Sequence, residues 1–277
     1  MLPVARFCIR RTARSLSGLL HKRRHSFWIE NRPVERWKEN FARNGFLSVH
    51  NFLTSSEVSY YRNIYDQMLS GEIDARSHRH DLGSHVARRQ KTEENVCQIM
   101  WPSMFLLELL QAPIHVRGSE IAKALLGDDV IHDFDMLISK AAYTDTPTPW
   151  HQDESYWPDM PDKRAVSCWV ALDDATLDNG CMWFVPGSYV KSLREHRRGA
   201  EGAHILECDC SEEEGVAVPL PAGSCTFHHG RTLHYSRGNT TGHVRRAFIV
   251  NFRPESMVKW ERTHDFDHGK SGIHIFD

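Results

Sequence analysis

The sequence predicts a mainly β protein, a barrel buttressed on its outside by N-terminal helices, and three observations predict it. Helix-spaced apolar stripes lie almost entirely before residue 127. From Val130 to Phe252 the chain is instead a succession of short alternating segments punctuated by turn dipeptides. The length of 277 residues suits a single domain, residues 30–277, since all-β barrels carrying helices commonly run to about 250 residues as one unit.

Pro33 stands at a helix start, Val34, Trp37 and Phe41 follow at helical spacing, and Gly45 stops the stripe. Phe46 to Val49 is a short strand. Thr54 or Ser55 caps a second helix that runs to about Leu69, with Val58, Tyr61, Ile64 and Met68 on one face. Residues 71–94 are polar and basic, with Arg76, His78, Arg79, His80, His85, Arg88, Arg89 and Lys91. They read as a solvated loop or as a lid whose cations meet an anionic substrate. Residues 103–126 are helical in two pieces divided by Pro113.

Strand character then begins at Val130–Ile138, continues through Val166–Leu172 and, after the Asn179-Gly180 turn, through Cys181–Val185. Residues 191–198 are basic and 207–214 acidic, which reads as an insert on the barrel rim, free to vary without touching the chemistry. Cys225 to Ser236 reads as one strand carrying His228, His229 and His234, and the loop 237–243 reverses it into Val244–Phe252.

Composition narrows the function. A net charge of -2 carries no basic signature of nucleic-acid binding, so a small-molecule partner is expected. No apolar run approaches the roughly 18 residues of a membrane span. The seven cysteines form an odd set without a Cys-x-x-Cys pair, which fits a reducing compartment. Residues 1–29 lack Asp and Glu but carry seven Arg or Lys among Ser, Leu and Ala, the composition of a mitochondrial transit peptide or of a disordered basic tail; without import the protein is expected in the cytoplasm.

The chemistry centres on Trp150-His151-Gln152-Asp153. In an extended strand, residues two apart project to the same face, so an imidazole and a carboxylate stand side by side. A second His from a distant strand would complete a two-His, one-carboxylate facial triad for Fe(II). His228, His229 and His234 on the last hairpin are its candidate sources. In the final strand Arg246, Phe248, Val250 and Phe252 share the more apolar side, which belongs against helices. Arg245 therefore points inward, where a guanidinium suits a carboxylate, while Arg246 is left to a surface ion pair.

These residues, together with Trp169-Val170-Ala171-Leu172-Asp173-Asp174, Asn179-Gly180-Cys181, Val185-Pro186-Gly187-Ser188 and Thr232-Leu233-His234-Tyr235-Ser236, give a chain that resembles the phytanoyl-CoA dioxygenase family of Fe(II)- and 2-oxoglutarate-dependent oxygenases over roughly residues 41–252. The resemblance implies a double-stranded β-helix, the jelly-roll or cupin-like barrel. It implies His151, Asp153 and His234 as iron ligands, chosen over His228 and His229 by the His-x-Ser pattern and the spacing to Arg245, which would hold the distal carboxylate of 2-oxoglutarate. Ser236, Trp169 and Gln98 fall near the co-substrate, His228 on the pocket face and His229 away from it. The implied cofactors are Fe(II), 2-oxoglutarate and O2, with ascorbate as an auxiliary reductant, and the implied reaction is hydroxylation of an aliphatic carbon with release of succinate and CO2. Two other readings use the same residues: a non-catalytic metal or 2-oxoglutarate sensor, and a zinc hydrolase, which would have no need of an inward Arg245. A carboxylate at Asp153 disfavours halogenation, and Tyr189 replaces a His common in the family after Pro-Gly-Ser. Tyr156, Trp157 and the stretch from Arg76 to Lys91 suggest an anionic or partly apolar substrate.

Overall fold

A computed structural model describes residues 28–83, 94–199 and 205–272. Most of the basic leader, and Arg88, Arg89 and Lys91 of the lid expectation, lie outside the described residues. In chain order the elements are α1 (Val34–Asn44), β1 (Phe46–Val49), α2 (Ser55–Ser70), β2 (Arg79–Asp81), β3 (Val96–Met100), α3 (Pro102–Phe105), α4 (Pro113–Leu126), β4 (Val130–Lys140), β5 (Thr148–His151), β6 (Val166–Ala171), β7 (Met182–Phe184), β8 (Arg197–Arg198), β9 (Leu206–Glu207), β10 (Val216–Val218), β11 (Cys225–His229), β12 (His234–Ser236), β13 (Arg245–Pro254) and α5 (Glu255–Thr263).

The strands form an antiparallel major sheet, ordered β1-β11-β6-β13-β4-β3-β2, and a minor sheet, ordered β10-β7-β12-β5. Together they make the jelly roll, and the sheets meet through the stacked rings of Phe46 and Phe184, 4.6 Å apart. Strand alternation divides the major sheet cleanly. Ile99, Leu137, Val170, Phe227, Phe248 and Val250 face outward into the large core, where Trp37 and Phe41 of α1, Tyr61 and Tyr65 of α2 and Ile114 and Ile121 of α4 cover them. Gln98, Met136, Trp169, Arg245 and Ile249 face the other way, into the cavity between the sheets.

The helices follow their sequence signals. Gly45 takes φ +80 and donates its N–H to Phe41 O, ending α1. Thr54 and Glu57 close a capping box at α2.

Several expectations change. Cys225–Ser236 is two strands, because the chain leaves the major sheet at His229, turns through Gly230, and re-enters as β12 in the minor sheet. Gly230 is required there, since a Cβ would stand 2.4 Å from the Trp157 ring. Asn179-Gly180 is a turn, as expected, and it lies in the crossing from β6 to β7 on the opposite sheet. The loop at 71–94 contains β2, and Arg79 is spent on Glu94 at 2.9 Å. Before Pro113 there is only the single turn of α3 and a 3-10 segment, Leu107–Gln111. The strand β3, hidden in sequence by its short length, carries Gln98. None of the six described cysteines forms a disulfide.

Candidate active site

Strand β5 ends at His151, and Asp153 opens a 3-10 turn, Asp153–Tyr156, so a turn rather than a continuing strand aims the carboxylate. The alternation still holds across the extended Gln152, whose buried amide points away from the site. Its Nε2 donates to Arg231 O (2.7 Å) and its Oε1 accepts from Arg194 N (2.9 Å). The minor-sheet register sets His151 directly opposite His234. Donor atoms of His151, Asp153 and His234 consequently lie within 4.8 Å of one another.

The donor set fits a divalent metal. His151 Nδ1–H donates to Pro149 O (2.7 Å) and His234 Nδ1–H to Thr232 O (2.9 Å), which leaves both Nε2 lone pairs turned to Asp153 Oδ1 at 3.6 and 3.4 Å. Burial would raise the Asp153 carboxyl, but the surrounding imidazoles of His234, His151 and His228 outweigh it and hold the group well below the usual carboxylate range. Burial and the neighbouring His234 push His151 down, favouring the neutral, ligating ring. Among the described residues two more clusters hold three such donors: His115, His132 and Asp135, and Asp133, Glu261 and His268. The latter is already neutralised by Arg253, 2.6 Å from Asp133 and 3.1 Å from Glu261.

The second oxygen of Asp153 has its own partners. His228, Ser167 and Asn251 stand in one row across β11, β6 and β13. Ser167 Oγ lies 2.9 Å from Asp153 Oδ2 and 2.6 Å from the Asn251 side-chain amide, and His228 Nε2 lies 3.4 Å from the same Asp153 oxygen. The single hydroxyl proton of Ser167 goes to the carboxylate when the Asn251 amide presents its NH2 to Ser167. His228 thus faces the pocket, as expected, although it and His234 belong to different sheets; His229 faces away, against Phe41 and Tyr189.

At the other end Arg245 is 1 % exposed, and its one hydrogen bond is long, Nε to Asn179 O at 3.5 Å. Nη1 has no partner, and burial pushes the guanidinium down to about 10. The buried amine of Lys140, opposite Arg245 in the β4–β13 register, donates only to the carbonyls of Thr146 and Ser236, and burial together with the Arg245 charge pushes it well below the usual lysine range. A buried guanidinium with no carboxylate in contact, beside an amine whose charged form is disfavoured, is costly until an anion arrives. That environment fits the distal carboxylate of 2-oxoglutarate. Trp169, whose ring centre is 5.3 Å from the Arg245 guanidinium, Ser236 and Gln98 all line the same cavity.

Beyond these groups the cavity wall is largely apolar, with Met100, Phe134, Met136, Trp157, Ile205 and Phe266, joined by His80, Thr148, Tyr235 and His268. Of the basic residues expected to meet an anionic substrate, Arg76 pairs with Asp74 and Arg79 with Glu94, and neither lines the cavity, whereas His80 of the same stretch does. The rim insert is no bystander. Ile205 enters the cavity, the Tyr156 hydroxyl accepts from Leu206 N (2.8 Å), and His196 accepts from Gln152 N (3.1 Å). Sequence reasoning recognised this insert but missed its contact with the site, and it missed Lys140 and the contribution of residues 266–269. Only the alternation of β4 carried a signal, for Lys140.

The family model for phytanoyl-CoA dioxygenase (PhyH) matches residues 41–247. The mouse phytanoyl-CoA dioxygenase domain-containing protein 1 is 32% identical over 117 residues, 40% of each chain, so the match spans well under half the length of that relative. The ectoine dioxygenase of Stutzerimonas stutzeri is 27% identical over 257 residues, covering 83% of this chain and 81% of that protein. Among solved structures, EvdO2 from Micromonospora carbonacea var. aurantiaca complexed with 2-oxoglutarate superposes with a TM-score of 0.66 at 28% identity, over 78% of this chain and 89% of that one.

Proposed function

The chain belongs to the phytanoyl-CoA dioxygenase family of Fe(II)- and 2-oxoglutarate-dependent oxygenases, and on that premise we propose that it hydroxylates an aliphatic carbon of a small or lipid-like molecule. The observation that carries the reading is the joint presence, in one cavity, of the His151, Asp153 and His234 donors and of Arg245 with its unpaired Nη1. A metal sensor would gain nothing from a buried cation placed for a second ligand, and a hydrolytic zinc site has no use for it.

In this reading His151, Asp153 and His234 would hold the iron. Arg245 would anchor the distal carboxylate of 2-oxoglutarate, with the Lys140 amine beside it. Trp169 and Ser236 border the co-substrate, and Gln98 faces it from β3. The iron and O2, when bound, supply the oxidative decarboxylation of 2-oxoglutarate to succinate and CO2 and the insertion of one oxygen atom into a substrate C–H bond. The chain itself supplies position and exclusion of water. Its imidazole tautomers are preset by the carbonyls of Pro149 and Thr232, so the donors need no reorganisation to bind metal.

The test is succinate formation from 2-oxoglutarate by Fe(II)-loaded protein in air with ascorbate, without added substrate, beside an Asp153→Ala control. Succinate that disappears in the control is the expected result. Binding of 2-oxoglutarate with no succinate under any substrate challenge would instead make the protein a non-catalytic sensor.

A further inference from the structure

Residues 264–272 lie beyond the family match, yet they close one side of the cavity. The segment follows α5 and passes back across the barrel mouth, where Phe266, His268 and Gly269 face Met100, Phe134 and Met136 of β3 and β4. It is firmly tied. Trp101 Nε1–H donates to His268 O (3.1 Å), His78 Nε2–H to Lys270 O (2.9 Å) and Arg262 Nη1–H to Phe266 O (3.0 Å). The His268 ring stacks on Phe134 at 3.8 Å, and its Nε2 is held by Asp133 (3.1 Å) and Glu261 (3.3 Å).

The electrostatics of this wall are one-sided. Among the described residues, Arg245 is the one Arg or Lys that lines the cavity, and the proposed reaction commits it to 2-oxoglutarate. Arg253 and Arg262 are spent on Asp133 and Glu261, and Lys270 of the segment itself sits over the Trp101 ring, 4.8 Å from its centre, outside the cavity lining. Two imidazoles do line the cavity here, His80 and His268, and the latter is held by Asp133 and Glu261. A carboxylate or phosphate placed here would be desolvated with no lysine or second arginine in the cavity lining to balance it, whereas methylene groups would gain by leaving water. A site with thioether and aromatic walls and few polar groups selects by shape and hydrocarbon area.

We propose that the face between β3–β4 and the 264–272 segment is the substrate-binding wall, that it takes an uncharged, predominantly hydrocarbon molecule, and that Phe266 with Met100 and Met136 determines which one. The proposal rests on the oxygenase reading for what happens to the bound molecule, but not for its binding. Selection is thus assigned to a segment outside the shared family core, where it can differ between relatives that keep the same metal and co-substrate groups.

The test uses straight-chain 1-alkanols from hexanol to dodecanol, with decanoate and decanoyl-CoA as charged counterparts. Binding is read from the fluorescence of Trp157 and Trp169 in the metal-free protein, and separately from stimulated succinate formation in the Fe(II)-loaded protein. Affinity for the alkanols is expected to rise roughly three- to fourfold per methylene until the cavity is filled. Decanol should bind at least tenfold more tightly than decanoate. Phe266→Ala should weaken decanol about tenfold while 2-oxoglutarate binding stays unchanged, and Phe266→Leu should restore most of it. Phe266→Arg should gain decanoate. The position tolerates substitution because Phe266 is only half-buried.

Decanoate or decanoyl-CoA binding as tightly as decanol, alkanol affinity independent of chain length, or a silent Phe266→Ala would each overturn the proposal. Succinate formed without added substrate, alongside failed alkanol binding, sinks this inference and leaves the oxygenase standing. Chain-length-dependent alkanol binding with no succinate under any condition supports the wall and removes the oxygenase.

Discussion

His228 Nε2 stands 3.4 Å from Asp153 Oδ2, the carboxylate oxygen that neither His151 nor His234 approaches most closely. With Ser167 on the same oxygen, the carboxylate is fixed so that Oδ1 alone is turned to the two ligand imidazoles. Buried partners of this kind orient a metal ligand and tune its basicity, and losing one typically costs 10- to 100-fold in metal affinity.

His228→Phe keeps the ring volume against Phe184 but removes the N–H, so affinity for Fe(II), titrated without oxygen, is expected to fall by about one to two orders of magnitude. His228→Gln, which can place an amide N–H near the same point, should recover part of it. Equal affinity in all three proteins would reduce His228 to a packing residue.

Arg245→Ala should weaken 2-oxoglutarate by roughly 2 to 5 kcal/mol, the usual result of truncating one partner of a buried charge pair. Arg245→Lys should restore little, because an ammonium cannot reproduce the bidentate fork. Calorimetric titration of the metal-loaded proteins under argon checks both, and wild-type affinity in the Ala variant would remove Arg245 from the co-substrate site.

Gly180 has φ +88, and a Cβ there would stand 2.4 Å from Arg237 O and 3.2 Å from Lys140 Cδ. It follows Asn179, whose carbonyl is the acceptor nearest Arg245. Gly180→Ala is therefore expected to cost more than about 1 kcal/mol of stability. The Michaelis constant for 2-oxoglutarate should rise with it, and a stable variant with unchanged co-substrate kinetics would contradict the coupling.

Two histidines outside the metal site set the acid sensitivity of the fold. Burial pushes His132 and His229 down to about 4, and His229 Nδ1 additionally accepts Arg231 N–H. Their folded pKa values lie below the unfolded value of about 6.5, so the stability that comes from keeping them neutral is complete above that pH and lost as pH falls from about 6.5 to about 4, by up to ~3 kcal/mol for each ring. Urea midpoints measured across that range should fall in the wild type. In His132→Phe the fall should be shallower, and identical slopes would assign the acid sensitivity elsewhere.

How much of this was legible in the sequence depended on how local the cause was. The helix caps at Gly45 and Thr54 and the inward turn of Arg245 follow from residues within one element, and all three are present in the structure. The same holds for the pairing of His151 with Asp153, although a turn replaces the expected strand. The continuous strand over 225–236 misled because both of its halves are rich in apolar, β-branched and histidine residues, while the change of sheet is set by distant partners, β11 pairing with β6 and β12 with β5 and β7. The rim insert was misjudged for the same reason, since its link to the site runs through the side chains of Gln152 and Tyr156.

The sequence alone thus determined what short covalent spacing and strand alternation can dictate: the donor pair, the outward apolar face that calls for helices, and the side on which each strand residue lies. Only the tertiary structure decided which histidine meets Asp153 from behind, which lysine sits beside Arg245, and which segment closes the Met100–Met136 side of the cavity. Those relationships join residues from 75 to more than 100 positions apart. They are fixed by the registers of β11 on β6 and β13 on β4, and by the return of the 264–272 segment across the barrel mouth. Register and docking are set by the packing of the whole sheet, and no local pattern encodes them.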